Sequence, residues 1–249
     1  MLELNKIYCI DVLEGLKQLD DESIDLIITS PPYNKNGFNK RKKAPLRIWK
    51  QTISYDNDNL NDYMDEEEYE KWQIEVLNEC FRVLKKNGSM FYNHKERSYR
   101  NKCSFPLEWI SKSKFIFRQL IVWNRCADPN VDGARYLPVT EFFFWLIKER
   151  KNPRFRRTND MKFKSNVWTI VPPNNKTGHP APFPIEIPDN IIPCVSQGEN
   201  ITVLDPFIGI GTVALSAIKH GCNFIGFEKS KEYVNIANEK INNLEKNYQ

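Results

Sequence analysis

The run Val203-Leu204-Asp205-Pro206-Phe207-Ile208-Gly209-Ile210-Gly211-Thr212 decides the reading of this chain. Apolar residues from Ile201 to Leu204 spell a short buried strand, and the pattern from about Thr212 to His220 spells a helix. Between the two, Gly209 and Gly211 remove the Cβ atoms that would hold a ligand away from the backbone. The next strand, Cys222 to Phe227, ends in Glu228, about twenty positions beyond the glycines. A carboxylate there accepts both hydroxyls of a ribose. The segment therefore reads as a nucleoside-cofactor site, with Asp205, Phe207, Gly209, Gly211, Thr212 and Glu228 as its candidate residues. It is not G-x-G-x-x-G, because Ala214 stands at the third position, and a lone Gly-x-Gly also fits an ordinary tight turn.

Outward from this run, short apolar strands alternate with longer helical patterns. That is how an α/β domain with a mostly parallel sheet and helices on both faces reads. Strands are expected at Ile7 to Ile10, Asp25 to Thr29, Ser89 to Asn93, Phe117 to Trp123 and Thr140 to Ile147. Helices are expected at Val12 to Leu19, Phe105 to Ser113 and Pro188 to Ser196, the last despite Pro193, and a closing helix starts near Lys231. The longest, Asp65 to Lys86, starts with Glu68 three residues after Asp65, as in a capping box. It presents Trp72, Val76, Leu77, Cys80, Phe81 and Leu84 on one face and stops at Asn87-Gly88. Residues 35–64 form a polar insertion, basic and then acidic, and residues 150–178 are basic and irregular.

A second motif, Thr29-Ser30-Pro31-Pro32-Tyr33-Asn34, follows the strand at Asp25. Two prolines stiffen the chain and remove two N–H donors, leaving a local excess of carbonyl acceptors. Ser30 adds a hydroxyl and Tyr33 an aromatic face. Such a pocket suits an amino group that donates two hydrogen bonds beneath a stacked ring. A proline-rich strand exit with a buried tyrosine is the other reading.

The 249 residues are a length that one domain can use up, and 41% are hydrophobic, enough for a sizeable core. No apolar run reaches membrane-spanning length, and Met1 to Asp11 lacks the features of a signal peptide, so a cytoplasmic protein is the expectation. Cys9, Cys80, Cys103, Cys126, Cys194 and Cys222 form no CxxC pair, and no histidine cluster accompanies them, which argues against a metal site. Net charge is only +4, but it is clustered. Arg41 and Lys42 lie in one basic group. Arg154, Arg156, Arg157 and Lys164 lie in another, interleaved with Phe155, Phe163 and Trp168. Basic groups with aromatics suit a phosphate backbone and unstacked bases, although solvated loops have the same composition.

The S-P-P-Y segment and the F-x-G-x-G segment together resemble the motif pair of DNA amino-methyltransferases, and the order here resembles the β-group, a permuted form of the Rossmann-like methyltransferase fold. The resemblance covers most of the chain as a single domain, residues 1–249. It implies S-adenosylmethionine as cofactor and double-stranded DNA as partner. It places Asp11 near the cofactor's adenine, and it likens His179-Pro180 to the segment that closes over the cofactor's methionine end. It puts target recognition in about 148–178 and an antiparallel hairpin near one sheet edge. It leaves room for a homodimer and for a cognate restriction endonuclease.

The implied mechanism starts by rotating the target base out of the duplex. Ser30, Pro31, Pro32 and Tyr33 would be the catalytic segment. Tyr33 would stack on the flipped ring, while the Ser30 side chain and the Pro31 carbonyl accept from the amino group. Transfer is then an in-line displacement, driven by positioning and electrostatics without metal or covalent intermediate. Ser30 tilts the reading toward cytosine N4 over adenine N6. RNA or protein amide methylation is a more distant alternative, because those families usually place the glycine motif first. Pro193-Cys194 resembles the nucleophile pair of cytosine C5 enzymes, but it lies far from a strand-end loop and reads as a core helix.

Overall fold

The computed structural model describes residues 2–34, 64–99, 102–126, 136–150, 153–159, 161–172 and 184–246. In chain order the elements are β1 (Lys6–Cys9), α1 (Val12–Leu16), β2 (Ile24–Thr29), α2 (Glu66–Val83), β3 (Leu84–His94), β4 (Arg97–Tyr99), β5 (Lys102–Ser104) and α3 (Leu107–Ile110). They continue with β6 (Ile116–Asn124), β7 (Thr140–Ile147), β8 (Val167–Thr169), α4 (Glu186–Ser196), β9 (Thr202–Asp205), α5 (Thr212–Lys219), β10 (Asn223–Glu228) and α6 (Lys231–Lys246).

All six residues of β2 are buried, the mark of a strand covered on both faces. It lies inside an eight-stranded sheet of order β1-β10-β9-β2-β3-β7-β6-β8. From β1 to β3 every pairing is parallel. β7 then runs antiparallel to both β3 and β6, which is the expected hairpin. Ile27, Met90 and Tyr92 pack on one face with α1, α2 and α3. Leu26, Ile28 and Phe91 pack on the other with α4, α5 and α6.

The order places the site. β2 leads outward to β3, and β9 leads outward to β10, so the chain reverses direction between β2 and β9. Ligands of open α/β sheets bind in the crevice at the carboxyl ends beside such a reversal. Thr29 and Asp205 end the two strands, and the Thr29 hydroxyl donates to Asp205 Oδ1 at 2.7 Å across the gap.

Several local expectations change. The long helix ends at Val83, short of Asn87-Gly88, because Leu84 is already extended and buried. Its inner face is Tyr69, Gln73, Val76, Leu77, Cys80 and Val83, so Trp72 and Phe81 are only partly covered. Asp65 caps it by accepting from the Glu67 N–H at 3.2 Å. α1 and α3 are shorter than their patterns suggested. The short strand β8 was not expected inside the basic segment; its Val167, Trp168 and Thr169 pair in parallel with Val122, Trp123 and Asn124. Among the described residues no helix is long and apolar enough to cross a membrane, and no cluster of His, Cys, Asp or Glu could hold a metal ion.

Candidate active site

The carboxyl ends of β1, β10, β9 and β2 present Asp11, Glu228, Asp205 and Ser30 side by side. Asp11 caps α1 by accepting from the Leu13 N–H at 2.9 Å. Next to it, Glu228 is tied to the glycine loop. Its Oε2 accepts from the Gly209 N–H at 3.1 Å and its Oε1 from the Ser230 N–H at 2.8 Å. Each oxygen keeps a lone pair for a hydroxyl. The loop itself depends on glycine. Gly209 has φ 51° and Gly211 has φ 88°, and a Cβ on Gly211 would lie 3.0 Å from that of Ala237. Phe207 meets Trp72 of α2 edge-on at 5.7 Å, giving the crevice an aromatic wall.

Asp205 is buried and accepts from both the Thr29 hydroxyl and the Phe207 N–H. Burial pushes its carboxyl up to about 7 from an ordinary 3.8, against those two hydrogen bonds, which lower it. Between those values the folded chain holds a proton that the unfolded chain has lost. The stabilising contribution is therefore whole at low pH and is lost as pH rises through about 7. Asp205→Asn keeps an acceptor for both donors and removes the titration. Without cofactor, its thermal midpoint is expected to exceed wild type at pH 8 by about 2–4 °C per kcal/mol of relief. The two midpoints should draw together as pH falls and converge only near pH 4, where the unfolded carboxyl is protonated as well. A constant difference across that range would show that Asp205 does not titrate there.

One strand over, the Ser30–Tyr33 segment is wired to residues that its motif does not contain. The Ser30 hydroxyl donates to Asn93 Oδ1 at 3.1 Å. The Tyr33 hydroxyl lies 2.6 Å from Asn93 Oδ1, 3.0 Å from Glu141 Oε2 and 3.0 Å from Ser30 Oγ. Asn93 is fixed in turn by its amide N–H to Phe142 O at 3.1 Å, and Glu141 by Arg125 at 2.9 Å. Burial, then the Glu141 carboxylate, holds the Tyr33 phenol well above its usual range, so it stays protonated. The Tyr33 ring packs against His94 at 4.5 Å. With its proton on Asn93, Ser30 Oγ keeps acceptor capacity, part of it toward the Tyr33 hydroxyl. The Pro31 carbonyl takes no hydrogen bond from the described residues. Ser30 Oγ and the Pro31 carbonyl are thus two acceptors one residue apart, the complement of an amino group.

Asn93 and Glu141 were absent from the motif reading, yet both leave a trace. Asn93 ends a strand beside the catalytic one, where polar residues face ligand. Glu141 is a lone carboxylate opening the apolar run Phe142–Ile147, and a buried charge demands a partner.

Among the described basic candidates, Arg154 lies away from this end. The Arg154 backbone bonds Asn87 O at the amino end of β3, about six residues or roughly 20 Å along the strand from Asn93. Its guanidinium is committed to Val195 O, Ser196 O and Glu199, closing the end of α4. The Arg156 N–H bonds Cys194 O nearby, although its side chain is exposed. Arg157 and Lys164 are exposed at the border of a separate cavity of about 280 Å³, lined partly by Trp145, Phe155 and Phe163. Arg41, Lys42, His179 and Pro180 lie outside the described residues. Cys194 is fully buried in α4 with its thiol on Asn190 O.

The mostly parallel sheet, its reversal between β2 and β9 and the order of the two motifs along the chain are those of a Rossmann-like methyltransferase fold. The chain belongs to the DNA methylase family of the N6/N4 type, whose model matches residues 24–239. It is 32% identical to the type II methyltransferase M.BglII of Bacillus subtilis, over 94% of this chain and 68% of that protein. Among solved structures, the cytosine-N4-specific PvuII DNA methyltransferase superposes with a TM-score of 0.72 at 20% identity, covering 96% of this chain and 90% of that one. The M1.HpyAVI–SAM complex superposes at 0.64 with 24% identity, covering 95% and 98%.

Proposed function

We propose that this chain is a site-specific DNA methyltransferase that carries a methyl group from S-adenosylmethionine to the exocyclic amino nitrogen of a flipped base, with cytosine N4 as the favoured target. The observation that carries the reading is the hydrogen-bond polarity at Ser30. With its proton on Asn93, Ser30 Oγ keeps acceptor capacity, and the Pro31 carbonyl one residue on takes no hydrogen bond from the described residues. Two acceptors on an amino group favour a tetrahedral nitrogen and aim its lone pair.

Asp11, Glu228, Asp205 and the loop from Phe207 to Thr212 would hold the cofactor, and the left-handed glycines and spare Glu228 lone pairs fit a nucleoside. When bound, S-adenosylmethionine supplies an electrophilic methyl group on sulfur. The chain's own part is orientation. Tyr33 is braced at its hydroxyl by Asn93 and Glu141, so its ring can support a base without swinging away. Asn34 locks the segment's other end, with both of its amide atoms on the Met64 backbone at 2.9 Å. Arg156, Arg157 and Lys164 remain exposed candidates for phosphate contacts on the described surface, and Arg41 and Lys42 are candidates in the insertion.

The test is to express the protein in a host free of DNA methylation, digest the genomic DNA and measure modified nucleosides by mass spectrometry. N4-methylcytosine is the expected product. N6-methyladenine would retain the activity and overturn the base assignment. Neither product, from a protein that binds S-adenosylmethionine, would move the substrate to RNA or protein.

A further inference from the structure

Behind the catalytic segment lies a chain of hydrogen bonds to which the chemistry proposed above assigns no role. Its members are Trp109 on α3, Tyr92 on β3, and Gln73 and Tyr69 on α2, all at 0% exposure. The Trp109 indole N–H donates to the Tyr92 hydroxyl at 3.3 Å. Tyr92 donates to Gln73 Oε1 at 2.8 Å. The Gln73 amide N–H donates to the Tyr69 hydroxyl at 2.8 Å. Tyr69 donates to the Pro32 carbonyl at 2.7 Å. Every link runs in one direction, from an indole that can only donate to a carbonyl that can only accept. Such a chain has a single consistent arrangement of protons, and its bonds polarise one another.

The same chain reaches His94. With the Tyr69 proton on Pro32 O, His94 Nε2 at 2.7 Å can donate into the Tyr69 oxygen in the tautomer whose Nδ1 accepts from the Lys95 N–H at 2.9 Å. His94 in turn supports the Tyr33 ring, at 4.5 Å between centroids. Tyr69 thus touches the catalytic segment twice, directly at the Pro32 carbonyl and through His94 at Tyr33.

We infer that Tyr69, fixed by the Gln73–Tyr92–Trp109 chain, is a positioning residue for methyl transfer: it pins the Pro32 carbonyl back toward α2 so that the Pro31 carbonyl and Ser30 Oγ are left facing the amino group. This rests on the functional reading above. The rings fix φ of Pro31 and Pro32, so the orientation of the peptide after Pro32 is left to ψ of Pro32 and φ of Tyr33, and a bond to the Pro32 carbonyl sets it. A misplacement near 1 Å in such a segment costs about 10²-fold in rate.

The experiment compares Tyr69→Phe and Tyr92→Phe with wild type. Tyr69→Phe keeps the ring that packs on Trp72 and Trp109 and loses the hydroxyl. Tyr92→Phe breaks the chain two links from the segment. Single-turnover methylation of DNA is expected to fall by about 10- to 100-fold in Tyr69→Phe and less in Tyr92→Phe, with S-adenosylmethionine affinity within twofold of wild type. A rate within twofold of wild type for Tyr69→Phe overturns the inference. So does a parallel loss of rate and cofactor affinity, which would make Tyr69 a general brace. A crystal structure of Tyr69→Phe supplies a readout that needs no activity: the peptide after Pro32 should be rotated, and an unmoved Pro32 carbonyl overturns the inference even if the wild type leaves DNA unmodified. Absence of wild-type methylation, by contrast, counts against the functional reading alone.

Discussion

Tyr33→Ala is expected to lower single-turnover methyl transfer by about 10²- to 10³-fold while S-adenosylmethionine affinity stays within twofold. Two losses combine. Removing the ring removes the surface on which a flipped base rests, and stacking of a base on an aromatic ring is worth about 1–3 kcal/mol. Removing the hydroxyl strips a donor from Asn93 Oδ1 and Glu141 Oε2, both on buried residues. Asn93 is then free to turn from Ser30, whose acceptor role depends on it. Tyr33→Phe separates the losses, since it keeps the ring and drops only the hydroxyl. It should lose roughly tenfold. A target base left unpaired in the duplex lowers the cost of flipping and should rescue the alanine variant in part. The measurement is rapid-quench methyl transfer with paired and unpaired targets, alongside calorimetric cofactor binding. Equal loss of rate and affinity would count against stacking. A phenylalanine variant as slow as the alanine one would shift the role to the hydroxyl.

Particular residues show what the sequence could disclose. The strand exits are legible because each is punctuated: Pro31-Pro32 after β2, the glycine loop after β9 and Glu228 at the end of β10. Punctuation is local, so the segments proposed for cofactor binding and for methyl transfer can be named without the fold. The network that orients them is not local. Asn93 lies 63 positions from Ser30, and Glu141 lies 108 from Tyr33. They meet only because β3 and β7 pair with His94 opposite Phe142. Tyr69 and Gln73 escape a sequence reading for a different reason. Helical periodicity favours the most apolar residues, Trp72 and Phe81, whereas the buried face carries two polar side chains in mutual hydrogen bonding. The basic segment misleads through composition. Arg154 reads as a phosphate contact, but its guanidinium donates to the Val195 and Ser196 carbonyls at the end of α4.

Gly209→Val is expected to weaken S-adenosylmethionine binding by at least 100-fold, about 2.7 kcal/mol. Gly209 has φ 51°, a left-handed conformation that a β-branched residue strongly resists. Relief of that strain would rotate the peptide whose N–H holds Glu228 Oε2 at 3.1 Å, moving the carboxylate proposed for the ribose. The added methyl groups would also occupy the close approach that the loop leaves open. Backbone strain alone can be isolated at Gly198, which has φ 84° and no atom within 4 Å of the place a Cβ would take. Gly198→Ala should therefore reduce the thermal midpoint slightly and leave cofactor affinity unchanged. Calorimetry on both variants, each first shown to unfold cooperatively, distinguishes the effects. Loss of affinity in Gly209→Val alone ties the loop to the nucleoside. Equal weakening in both would reduce the result to global destabilisation. Tight binding by Gly209→Val would place the cofactor away from the reversal between β2 and β9, and with it the row formed by Asp11, Glu228 and Asp205.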